Sequence, residues 1–413
     1  MFAGLSLDQA PPFRAPLKFF LIAPLFAILA GFFALFSKDY FVHSTNLIAN
    51  IHILTIGYIL MIIFGALQQM LPVVAGVVIP KPTLVANITF WSMVLGIISF
   101  VLGFLFYNRI LFDMAAILLF LGIGFFLSIS IYKLYKVENK SYIVKTMLIS
   151  LIILFMAIIL GTHLVISYAT GNFLSYHLDI ALIHYNLIFF GGLFLLIAAI
   201  TFQVVPMFWV AKDFNKKNQQ IILYATIFSL ILLIINISLG LNLYLIYKIF
   251  IGSIILFFSY ITYNKLKSRR RKLTDYTVYF YYSSILFLIS GVIYYIAMSF
   301  LKLPIQGLII LFGIGFVISL MNGMIYKIIP FLTWFHLNSK GIFDIPTMRD
   351  MIPIKLTKMQ FYCHISSVIL FFIGFAFEIN IIIKIASMSF ILSNIILFYN
   401  ITSSSKIFLK RDK

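Results

Sequence analysis

Residues 51–72 read IHILTIGYILMIIFGALQQMLP, an apolar stretch of helical length with a histidine near its start, glycines at Gly57 and Gly65, and a Gln-x-x-Pro exit at Gln69 and Pro72. A second stretch, HYNLIFFGGLFLLIAAITFQVVP, places Gly191, Ala199, Gln203 and Pro206 at the same four offsets from its proline. A third places Gly315, Gly323, Lys327 and Pro330 at those offsets again. Glycine, small residue, long polar residue and proline recurring three times at fixed spacing mark an internal threefold repeat. At about 100° per residue the four positions fall within roughly 120° of one another, so they share one face of each helix. Small residues on such a face let another backbone approach closely, as helices in a membrane require. Two readings of the motif follow: packing alone, or three helices converging on a shared cavity or cofactor.

Composition sets the solvent. The chain has 413 residues, 63% of them hydrophobic and only 10% charged, with a mean hydropathy of +1.11. An ordinary soluble core has no use for so much apolar surface. The expectation is an all-α integral membrane protein. Residues 1–16 carry Pro11, Pro12 and Pro16 with an isolated Arg14, which is not the pattern of a cleaved signal peptide.

Apolar runs of about 20 residues, enough to cross a bilayer, begin near Leu17, Ile51, Ile88, Ile110, Val144, Leu178, Ile221, Leu243, Tyr276, Ile305, Gln360 and Ile379. That predicts about 12 transmembrane helices in a single bundle, with motif helices second, sixth and tenth. The repeat unit is then four helices used three times, over approximately 17–132, 144–263 and 276–399. In this topology one side carries 24 lysines and arginines and the other five, with Lys327 inside a span. The positive-inside rule puts both termini in the cytoplasm.

The net charge of +19 is accounted for by those loops. The run from Lys265 to Lys272 faces anionic headgroups rather than nucleic acid, so membrane lipids are the expected neighbours. The longest loop, read as His336 to Lys358, specifies no chemistry. The single cysteine, Cys363, excludes an internal disulfide and any cysteine-rich metal site.

Histidine carries the chemical signal. His43, His52, His163, His177 and His184 all fall toward the non-cytoplasmic side of the first two repeats, while His336 and His364 fall on the cytoplasmic side. His177 and His184 are two helical turns apart. His52 and His184 open two motif helices at nearly equivalent offsets. Neutral imidazole ligates haem iron or copper, and helix bundles present such ligands from facing helices. Asp179 is placed to orient an imidazole. His52, His184 and His163 are therefore the candidate cofactor ligands and His177 and His43 candidate metal ligands. The alternative for each is a hydrogen bond to water or headgroup at the interface.

The stretch HIHILTIGYILMIIFGALQQMLPVVAG resembles the second-helix region of the haem-copper oxidase catalytic subunit, particularly its short bacterial relatives. LSLDQAPPFRAPLKFFLIAPLF, QVVPMFWVAK and KIIPFLTWFHL are similar to further segments of those relatives. The NnrS-type haem and copper membrane proteins linked to nitric oxide stress share a similar twelve-helix plan. The resemblance implies three units of four helices, with His52 matching the histidine that holds the low-spin haem from helix two. His184 matches a helix-six histidine by helix number only. Helix ten carries no histidine within its membrane span and helix seven has none, so the complete oxygen-reducing ligand set is absent. The expectation is an oxidase-like membrane protein binding haem, with copper left open, in respiratory electron transfer or nitric oxide handling, partnered by a respiratory complex or cytochrome. Alternatives are a transporter or channel using the threefold cavity, and a cofactor-free assembly partner of a respiratory complex. No carboxylate crosses the middle of a span, which argues against proton pumping. Lys327 either lines a polar path or snorkels to the interface.

Overall fold

The structure is a computed structural model describing residues 11–37, 44–270, 272 and 275–411. Among them every regular element is a helix, and 12 are long and apolar enough to cross a membrane. These are α1 (Arg14–Phe36), α2 (Thr45–Ala75), α3 (Pro82–Phe106), α4 (Arg109–Tyr135), α5 (Tyr142–Thr170) and α6 (His177–Trp209). They are followed by α7 (Lys216–Leu239), α8 (Tyr244–Lys267), α9 (Tyr276–Ala297), α10 (Ile305–Ser339), α11 (Ile354–Ala376) and α12 (Asn380–Arg411).

Local chemistry sets many of the ends. Ser44, Asn108, Ser141, Asn215 and Asp275 each stand just before a helix and accept from a backbone N–H of its first turn, satisfying donors the helix itself cannot. Gly171 and Gly240 end α5 and α7 in the left-handed conformation, where a side chain is unfavourable. The motif prolines do not mark the exits the sequence suggested. Pro72, Pro206 and Pro330 lie inside their helices, which run on to Ala75, Trp209 and Ser339.

The chain forms two compact units. One comprises Met70–Lys272, holding α3–α8. In it α3, α4 and α5 pack in sequence, α5 lies along α6, and α7 packs with α8. The other comprises Ala10–Gln69 with Leu273–Lys413, so α1 and most of α2 join α9–α12. There α1 lies along α2 and α12, α9 along α10, and α11 and α12 form an extended hairpin. Phe13 and Phe408 meet at 4.7 Å between ring centroids, so the start of α1 and the end of α12 share one end of this unit. In both units large apolar side chains such as Trp91, Ile117, Leu286 and Ile293 point outward, as a hydrocarbon solvent allows and water does not.

Each motif helix carries a π-helical segment. These span Ile53–Leu60 in α2, Leu187–Phe194 in α6 and Ile309–Ile318 in α10. All three end three residues after the first motif glycine and 12 residues before the motif proline. Well under about 1% of residues in ordinary proteins are π-helical, so three segments in one register are a property of the repeat.

Candidate functional site

The repeated motif can be followed residue by residue. On α2, a Cβ at Gly57 would lie 2.6 Å from Phe26 Cγ, and one at Gly65 3.1 Å from Phe19 Cβ. On α10, a Cβ at Gly315 would lie 2.8 Å from Phe287 Cγ, and one at Gly323 2.7 Å from Phe280 Cβ. On α6, a Cβ at Gly191 would clash with Ile153 Cγ2, and Ala199 is fully buried. The preceding helix supplies the packed side chain each time: α1 for α2, α5 for α6, α9 for α10. Except at Gly65, where the fit is merely tight, real Cβ atoms almost never approach this closely, so these glycines let the neighbouring side chain pack against bare backbone.

The third motif position diverges. Gln69 is buried with Nε2 unpartnered, and Gln203 is half-buried. Lys327, which the sequence left between lining a path and snorkelling, donates to Asp275 Oδ2 at 2.6 Å. Asp275 also caps α9 through Oδ1, accepting from the N–H groups of Thr277 and Val278 at 3.1 and 3.3 Å and from the Thr277 hydroxyl. Burial alone would push its carboxyl up. The Lys327 ammonium and the hydrogen bonds from Lys327, Thr277 and Val278 outweigh that and hold it below the usual range.

The candidate ligands fall in both units. In the discontinuous one, His52 stands at the last residue before the α2 π segment, and its Nδ1 donates to Ile48 O at 2.8 Å. A carbonyl on Nδ1 fixes the tautomer with its lone pair on Nε2, as in ligating histidines. Asn50, Ile51 and Leu54, on either side of His52 in the chain, line a cavity of about 60 Å³. Its walls are otherwise apolar apart from Gln306, and they include Gly31 and Ala34 of α1, Ile310 and Ile314 of α10, Phe371 and Phe375 of α11, and Phe390 of α12.

In the other unit, His184 Nδ1 donates to Ala157 O of α5 at 2.8 Å. A Cβ at Gly161 would come within 2.8 Å of the His184 ring, so glycine opens the notch in which it rests. His163 is half-buried on α5 with Nε2 unpartnered. His177 opens α6 against Tyr168 and Phe173, at 5.9 and 5.0 Å between centroids. His43 lies outside the described residues. His336 sits within α10 beside Phe13 and Phe335, and His364 is buried on α11 with Nε2 2.8 Å from Ser319 Oγ.

The donor set fits a haem in one respect and not in another. His52, with Nδ1 committed to Ile48 O, would supply one imidazole to such a group. Among the described residues of α10, the sole histidine is His336, far along the helix from Ile310 and Ile314, so α10 offers no second axial imidazole at the cavity. Small-molecule sites are usually ≥ about 300 Å³, so a macrocycle requires Phe371, Phe375 and Phe390 to move. Among the described residues, no three His, Cys, Asp or Glu side chains come together to hold a metal ion.

Sequence reasoning missed a polar stripe on α10. Ser319, Asn322, Tyr326 and Thr333 are buried, and their three-, four- and seven-residue spacing was a visible signal. Tyr58 donates to Asn322 Oδ1, linking α2 to α10, and Asn400 Nδ2 donates to Tyr326 Oη at 3.0 Å, linking α12 to α10. On α6, Asn186 accepts from the Tyr247 hydroxyl at 2.9 Å and donates to Leu182 O at 2.8 Å. No protein-family model matches the chain, and no curated protein sequence matches it.

Proposed function

We propose that the chain is an oxidase-like protein of a bacterial cytoplasmic membrane, built from three four-helix units with both termini cytoplasmic. In this reading it binds haem through His52 and acts in respiratory electron transfer or nitric oxide handling, without the ligand set of an oxygen reductase. The observation that carries it is the common register of the three π segments, each with its motif glycine packed by the preceding helix. One ancestral four-helix unit used three times accounts for that register. π segments are frequent at functional sites, and His52, its Nδ1 committed to Ile48, stands at the head of the first.

The test is a reduced-minus-oxidised visible spectrum of detergent-purified protein, with iron measured on the same sample. Sharp Soret and alpha bands with stoichiometric iron, lost in His52→Ala while the protein stays in the membrane, are the expected result. A flat spectrum without iron, from cells supplied with haem, overturns the haem assignment.

A second reading, a transporter or channel, is favoured by buried polar atoms on the motif helices, notably the unpartnered Gln68 Oε1 and Gln69 Nε2. It requires solute flux in proteoliposomes that falls in Gln69, Gln203 or Lys327 variants.

A further inference from the structure

Three tyrosine–asparagine pairs are buried among the described residues, and their hydrogen-bond accounts differ. In the Met70–Lys272 unit the Asn186 amide is complete, with Oδ1 taken by Tyr247 and Nδ2 by Leu182 O. In the discontinuous unit the account stays open. Asn322 Oδ1 accepts from Tyr58, but Asn322 Nδ2 is buried with no partner. Asn400 Nδ2 donates to Tyr326, but Asn400 Oδ1 is buried with no partner. Flipping either amide only exchanges which end is left over.

Asn322, Asn400 and Tyr58 are 0% exposed, and Tyr326 is 6% exposed. All four are enclosed by protein, so bulk water does not reach them. Asn322 and Tyr326 are four apart on α10 and so share a face, with side chains about 5–6 Å apart at Cβ. What is left over is complementary: an amide donor at Asn322, a carbonyl acceptor at Asn400, and the hydroxyl proton of Tyr326 between them. None of the four side chains is charged, so no countercharge calls for an ion here. It must both accept and donate, and it must be small.

We infer that Asn322, Tyr326 and Asn400 hold bound water inside the protein, bridging α10 and α12 beside the Tyr58 bond from α2. Two to four polar partners are what a buried water needs, and leaving such groups buried and dry is costly. The site is independent of the haem assignment.

The test is synchrotron X-ray radiolysis of the purified full-length protein, read by mass spectrometry. Radiolysis splits water where it is bound, so it oxidises buried side chains that touch internal water. Oxidation of Tyr58 and Tyr326 should exceed that of Tyr247, which is 3% exposed and belongs to the closed pair. The excess should be lost in both Asn322→Leu and Asn400→Leu. Tyr58 and Tyr326 remaining at the Tyr247 level overturn the inference, as does an excess that survives in both variants. Should neither variant accumulate, the wild-type comparison with Tyr247 decides alone.

Discussion

At Gly57 and Gly315 the missing side chain is the functional feature. A Cβ would fall 2.6–2.9 Å from atoms of Phe26 in one case and at 2.8 Å from Phe287 Cγ in the other. Overpacking of this kind costs about 1–3 kcal/mol. Gly57→Ala and Gly315→Ala should each lower the thermal unfolding midpoint in detergent. Trimming the opposing ring to Leu should recover part of the loss, and a double-mutant cycle measures that coupling. By contrast Gly76, at φ +63° with nothing within 4 Å of an added Cβ, would meet no neighbour on replacement by Ala, and the cost is the backbone strain of a side chain in the left-handed region, about 1–2 kcal/mol. Tyr58→Phe removes a buried donor and leaves Asn322 Oδ1 empty, at about 1–3 kcal/mol, again read as a fall in the unfolding midpoint. These glycines were legible from their spacing alone. Their partners were not, because no local pattern in α1 or α9 announces which phenylalanine will face the neighbouring helix.

Between elements, Asp275 joins the first turn of α9 to Lys327 of α10. Asp275→Ala removes a cap worth about 1 kcal/mol and strips Lys327 of its carboxylate. The Asp275 side chain is 47% exposed, so solvent screening keeps the ion pair's own share small. Because the folded carboxyl is held below its ordinary value, its stabilisation is present above that ordinary value. It is lost as pH falls through the lower folded one. Thermal scans stepping down from neutral pH into the acid carboxylate range should show that loss in the wild type and a smaller one in Asp275→Asn. The sequence placed the 12 spans closely but clipped several ends. α11 begins at Ile354 and α12 runs to Arg411, beyond the expected Gln360 and Tyr399. Hydropathy stops at the first lysines, whereas backbone hydrogen bonding continues past them. For the same reason the loop read from His336 to Lys358 is helical at both ends, since α10 reaches Ser339. The π segments were invisible in the sequence: they arise from a change of hydrogen-bond register that no residue type specifies.

For the molecule as a whole, the loops set a topology that reporter fusions can read. Fusions in 137–140 and 211–215 should report the cytoplasm, and those in 172–175 and 241–243 the opposite side. The reverse pattern would refute the basic-residue argument. The histidines show where sequence reasoning ended. The sequence suggests that they cluster toward one side, but proximity across helices is a tertiary property, and His52 and His184 turn out to be anchored by carbonyls, one on its own helix and one on its neighbour.

The division of the chain also sets a timetable. Gln69 and Leu273 belong to one unit, and the whole of Met70–Lys272 is made between them. At about 5–20 residues per second of synthesis, that stretch takes roughly 10–40 s. For that interval α1 and α2 stand in the bilayer with Phe26 already able to settle on Gly57, but with Tyr58 lacking Asn322 and α1 lacking α12. The unit cannot close until the last helix is inserted. Truncation within α12 should therefore leave the first two helices exposed to membrane proteases or chaperones, while the six-helix unit made in the meantime stands folded.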